Sequence, residues 1–82
     1  MITIETIQYE SHVVALYQSK TQLMTRKINR SEFPSWWETH IEAARKLALD
    51  MGIRGSFYYA GKDQETGILR WGTRSNHVAF EV

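Results

Sequence analysis

Three histidines, His12, His40 and His77, are the side chains of this 82-residue chain best matched to proton transfer or metal ligation at neutral pH. Zinc accepts a set of neutral imidazoles, but nothing in their spacing brings these three together. Glu38 and His40 lie two apart on a segment that reads as helix, so they point to different faces. The surrounding text, WETHIEAA, contains no His-Glu-x-x-His pattern. Ser11–His12 and Ser75–His77 put a hydroxyl near an imidazole in sequence, yet a nucleophilic serine also needs an aligned base and an oxyanion donor. Asp63 and Glu65 fall in a polar turn without the opposed geometry of glycoside hydrolysis. Gly61-Lys62-Asp63 lacks the glycine-rich frame of a phosphate loop. With no cysteine, disulfides, thiol chemistry and thiolate zinc sites are excluded. The histidines therefore read as surface or boundary residues, and the chain as a non-enzyme without metal or cofactor.

Recognition chemistry is better represented. In RSEFPSWWETH, residues 30–40, Trp36 and Trp37 stand side by side. Adjacent residues of a helix are rotated by about 100° and do not share a face. The apolar spacing puts Trp37 on the inward stripe and Trp36 at the helix start beside Phe33 and Pro34. Trp36 is then either a cover over the end of a small core or part of a contact patch with Phe33, Arg30 and Trp71. Tryptophan and arginine are the residue types favoured at binding hot spots. A second set suits single-stranded nucleic acid. Lys20, Arg26, Lys27 and Arg30 form a basic run without an acid and could meet phosphates. Tyr58, Arg70, Trp71 and Arg74 could make a stacking surface. The plainer reading keeps the basic run as a soluble strand edge, with arginines lying over aromatic rings as ordinary packing.

The elements that must position these residues follow from periodicity. ITIETIQY alternates at Ile2 and Ile4, then shifts phase to Ile7 and Tyr9, which predicts a bulge near Glu5–Thr6. HVVALYQ and QLMTRKI read as strands because of their β-branched residues, against a competing helix over 12–28. On the third segment Leu23, Thr25 and Lys27 share one face, and Met24, Arg26 and Ile28 the other. Ser35-x-x-Glu38 has capping-box spacing and opens a helix running from Trp36 to about Met51, with Gly52 just past its end. Its expected inward stripe is Trp37, Ile41, Ala44, Ala48 and Met51, broadened by Leu47. IRGSFYYA, ILRWGTR and HVAFEV read as three further strands, joined by the polar GKDQETG and by a turn at Asn76. Val78, Phe80 and Val82 form the inward face of the last. The order β-β-β-α-β-β-β predicts an α+β fold, a largely antiparallel sheet with one amphipathic helix.

Size and composition set the remaining bounds. At 9.6 kDa, residues 1–82 suit a single compact domain with a folded surface of roughly 5,100 Å². A hydrophobic share of 43% with 23% charged residues argues against disorder. The net charge of +1 is too small to imply a polyanion partner on its own. No signal peptide or membrane span is legible. The expectation is a small cytoplasmic accessory or regulatory protein, or an inhibitor, that binds another protein or a second copy of itself. Single-stranded nucleic acid is the alternative partner, and no membrane is expected.

Overall fold

The computed structural model describes residues 2–73 and 78–82. Six strands form one antiparallel sheet: β1 (Thr3–Gln8), β2 (His12–Gln18), β3 (Leu23–Asn29), β4 (Ser56–Lys62), β5 (Leu69–Gly72) and β6 (Phe80–Glu81). Their order across the sheet is β3-β2-β1-β5-β4-β6. A short 3-10 turn, Arg30–Glu32, leads from β3 toward α1 (Trp36–Asp50), the single α-helix among the described residues. The α+β class and the strand-helix-strand order agree with the sequence reading, and residues 12–28 form strands rather than helix. The accessible surface is 5244 Å².

Strand β1 departs from its expected form. It pairs with β2 without a break, from Glu5 opposite Leu16 to Gln8 opposite Val13, so there is no bulge at Glu5–Thr6. The residues it buries are Ile4 and Thr6, and neither is exposed at all. Ile7 turns to the other face and is only half-covered. The apparent phase shift is therefore a polar residue occupying a core position, not an inserted one. On β3 the expected division holds. Ile28 is buried opposite Val13, Arg26 lies opposite Ala15, and Lys27 faces away.

Helix α1 covers the face that carries Ile4, Val13, Ala15, Ile28, Phe57, Leu69, Trp71 and Phe80. It does so mainly with Ala43, Ala44, Leu47 and Ala48. Three alanines in the contact let the helix axis approach the sheet and leave volume for the Trp71 indole. The buried side also includes Thr39 and His40, so the stripe is rotated from the predicted one. Ile41 and Met51 are half-buried and Trp37 is exposed. The reason is that His40 is hydrogen-bonded within the sheet, so a polar side chain takes the central position that hydrophobicity alone assigns to its neighbours.

Both helix ends are closed. Ser35 Oγ accepts the backbone N–H of Glu38 at 3.2 Å. Thr39 Oγ1 donates back to the Ser35 carbonyl at 2.8 Å. At the other end Gly52 N–H meets the Leu49 carbonyl and Ile53 N–H meets the Ala48 carbonyl. This is the Schellman arrangement, and Gly52 adopts the positive φ of 76° that it needs. Arg26 pairs with Asp50 at 2.8 Å, tying β3 to the last turn and offsetting an acid at the negative end of the helix.

The last strand is shorter than HVAFEV. Phe80 is buried, but Val78 is exposed and Val82 only partly covered. The Asn76 turn lies outside the described residues. A Cβ at Gly52 would meet no neighbouring atom, so Gly52→Ala tests the backbone term alone. The expected loss is about 1 kcal/mol in urea unfolding at pH 7. A stability equal to that of the parent chain is the contrary result.

Candidate functional site

The site begins with one hydroxyl. Thr6 Oγ1 lies 2.8 Å from the indole nitrogen of Trp71 and 2.8 Å from Nδ1 of His40. An indole N–H only donates, so the hydroxyl oxygen accepts from Trp71. His40 Nε2 lies 3.2 Å from Gln8 Oε1, an acceptor, which assigns the ring proton to Nε2. Nδ1 is then bare, and the Thr6 O–H donates to it. Trp71, Thr6, His40 and Gln8 form one directed chain of hydrogen bonds from β5 through β1 to α1 and back to β1.

The imidazole at its centre is neutral. His40 is only 3% exposed. Burial, and then the positive charge of Lys62, lower its pKa from 6.5 to about 4. It is a core residue held by hydrogen bonds, not the surface or boundary residue expected. Among the described residues no three histidine or acidic side chains gather as a metal set. His12 is far from such a role, its ring stacked on Tyr9 at 5.0 Å. His77 lies outside the described residues.

An open cleft of about 260 Å³ sits at the Gln8 end of this chain. The first turn of α1 supplies Trp36 and Trp37, and the β4–β5 hairpin supplies Tyr59, Lys62, Gly67 and Leu69. A β-bulge decides what the hairpin offers. Tyr59 lies opposite Trp71 and Gly61 opposite Arg70, so Ala60 is an extra residue. Without it Lys62 would fall on the outer face. With it Lys62 pairs with the buried Leu69 and faces the same side as Tyr59. Gly61 takes φ 127° there, a conformation that side chains with a Cβ rarely adopt. Beyond it Asp63 Oδ1 accepts the N–H groups of Glu65 and Thr66, closing the turn. Those two bonds hold the Asp63 carboxyl below its usual pKa.

The adjacent tryptophans divide in the opposite sense from that predicted. Trp36 is half-buried against the core, with the Arg30 guanidinium 5.6 Å from its ring centre. Arg30 also donates to the carbonyls of Phe33 and Pro34. Phe33 packs against the core as well. Arg30, Phe33 and Trp36 thus brace the approach to the helix. Trp37 is the indole left 46% exposed. Its ring lies 5.3 Å from Tyr59, itself 41% exposed, and 5.2 Å from Trp71. Trp71 is fully buried, so it supports the exposed pair from behind and is not itself a contact surface.

The two predicted nucleic-acid sets are dispersed. Lys20 is exposed in the β2–β3 turn and Lys27 lies on the outer sheet face. Arg26 faces the helix side and is paired with Asp50, while Arg30 is held at the helix approach. Tyr58 and Arg70 are on the outer face, opposite Trp71. Arg70 is paired with Glu5 at 3.2 Å and Asp63 at 3.6 Å. Arg74 lies outside the described residues. Sequence reasoning missed Trp37, Tyr59, Lys62 and Gln8 as one group. Only Gly61 within YYAGK hinted at a bulge. Comparison with family models, characterised proteins and solved structures finds no match to this chain.

Two outcomes test the buried chain. Thr6→Val keeps shape and β-propensity but removes the partner of two buried groups, so a loss of about 2–4 kcal/mol is expected. Equal or higher stability would refute the hydroxyl's role. The His40 shift also gives a pH dependence. Above pH 6.5 neither state binds the proton. Below it the unfolded chain takes the proton up, and the folded chain does not until about pH 4. Stability therefore falls with acid across that window, by about 3 kcal/mol in all. Urea midpoints at pH 7 and 4.5 measure it, and His40→Gln should remove this part of the slope. An unchanged slope in that variant would count against it.

Proposed function

We propose that this chain is a non-enzymatic recognition protein that acts, as an accessory, regulatory or inhibitory factor, by binding another protein through the Trp37–Tyr59 face. One observation carries the reading: two large aromatic side chains remain 46% and 41% exposed while resting on a fully buried third. Exposed rings already fixed by packing lose little conformational entropy when a partner covers them. They also offer the apolar area typical of hot spots. A cytoplasmic setting belongs to the same proposal and rests on the cysteine-free composition. A second copy, or a single nucleic-acid strand, is an alternative occupant.

The test is capture from native lysate by tethered chain, with Trp37→Ala/Tyr59→Ala as the paired control. A retained protein should fall by more than about 10-fold in the double variant while circular dichroism stays unchanged. Equal retention by both chains would remove this face as the binding surface. Sedimentation across concentration reports the self-associating alternative. A salt series with short single-stranded DNA reports the nucleic-acid one, through affinity that falls steeply with salt.

A further inference from the structure

We propose that the cleft between the first turn of α1 and the β4–β5 hairpin receives an acidic aromatic segment of a protein partner, its ring against Trp37 and Tyr59 and its carboxylate at Lys62. The proposal rests on the protein-recognition reading and names the chemistry of what is recognised. The first support is size. A cleft of about 260 Å³ falls just below the range of pockets that enclose a whole drug-sized ligand. It has room for one large side chain projecting from something bigger. Aromatic walls favour a planar occupant.

The second support is charge. With His40 neutral, Lys62 is the sole formal charge among the described residues that line the cleft. Arg26, Arg45, Lys46 and Arg70 each have a carboxylate within ion-pair distance. Lys62 has none among the described residues, so an anionic group on the occupant would be its first partner. The third support is the cleft floor. His40 Nε2–H donates to Gln8 at 3.2 Å, the longest bond of the buried chain, and Gln8 is exposed. If Gln8 turns outward, a carboxylate oxygen can take its place as acceptor. A cation at the rim and a donor at the floor ask for one anion beside one ring.

This count separates the proposal from its rivals. A nucleic-acid strand needs a basic groove that follows several phosphates, and here one lysine is followed directly by Asp63. The chain does carry its own exposed acidic aromatic pair, Tyr9–Glu10. However, the Tyr9 ring is engaged with His12, which the strand alternation places on the face away from the cleft.

Short capped peptides presenting a phenylalanine between glutamates are the probes. They are titrated against the full chain and followed by backbone amide shifts and tryptophan fluorescence. Saturable binding is expected, with amide shifts centred on Trp37, His40, Tyr59 and Lys62. Replacing the phenylalanine by alanine should weaken it by more than about 10-fold. Replacing the glutamates by glutamine should weaken it roughly 3- to 5-fold, as an exposed ion pair does. In Lys62→Gln that second substitution should have no further effect, the signature of a direct pair. Lys62 is exposed, so this variant should fold.

Any one of the following results would overturn the inference. Glutamine peptides bind as well as glutamate ones. Lys62→Gln leaves the glutamate preference intact. An oligonucleotide saturates the same shifts more tightly. Or the chain forms a dimer that Tyr9→Ala abolishes. If no peptide binds while lysate capture still depends on Trp37 and Tyr59, this inference fails alone. If that capture also fails, the protein-recognition reading falls with it.

Discussion

The hydroxyl of Thr6 joins the three parts of this protein that meet at its centre. It accepts from Trp71 on β5 and donates to His40 on α1, from a strand at the middle of the sheet. A buried indole N–H or imidazole nitrogen left unpaired costs about 1–3 kcal/mol, a sizeable fraction of the stability of a small domain. These groups therefore fix the rotation of α1 about its axis and the depth at which Trp71 sits. Leu47 and the alanines supply apolar burial, which has no direction. The hydrogen-bonded chain supplies the direction.

That rotation determines which tryptophan meets solvent. With His40 turned into the sheet, Trp36 lies a helical turn before it and comes down on the core edge. Trp37 is carried sideways toward the β4–β5 hairpin. There it finds Tyr59 and the buried Trp71, so three rings pack with centroids 5.2 to 5.5 Å apart. Packing of this kind adds to area burial and restrains the exposed rings. The result is a stiff aromatic surface backed by a polar network.

The hairpin contributes by an irregularity. An extra residue at Ala60 reverses the facing of everything after it, and the Asp63 turn then fixes the loop in place. Lys62 gains a position beside the aromatic pair, where its charge adds to burial in lowering the pKa of His40. Several arginines are engaged locally, Arg26 with Asp50, Arg70 with Glu5 and Asp63, and Arg30 with carbonyls and the Trp36 ring. Charge that is contiguous in sequence is thereby distributed to separate faces.

Much of the architecture follows from local chemistry, and that is why it was legible. The β-branched runs, the Ser35 cap and Gly52 act within a few residues, so they mark the strands of 12–29 and both ends of the helix without reference to the rest of the chain. The alternation of Met24, Arg26 and Ile28 against Leu23, Thr25 and Lys27 was readable for the same reason. What the sequence left open depends on partners far apart in it. Thr6 reads as an error in a hydrophobic pattern until Trp71, 65 residues away, is seen to need its oxygen. His40 reads as a surface residue until Thr6 and Gln8 satisfy both ring nitrogens. The exposed face of the tryptophan pair follows from that bond, because hydrophobic periodicity alone favoured the other rotation of α1. Lys62 reaches the cleft only because the sheet accommodates a bulge. Local propensity specified the elements. Long-range hydrogen bonding decided how each one is turned, and with it which side chains are left exposed to solvent.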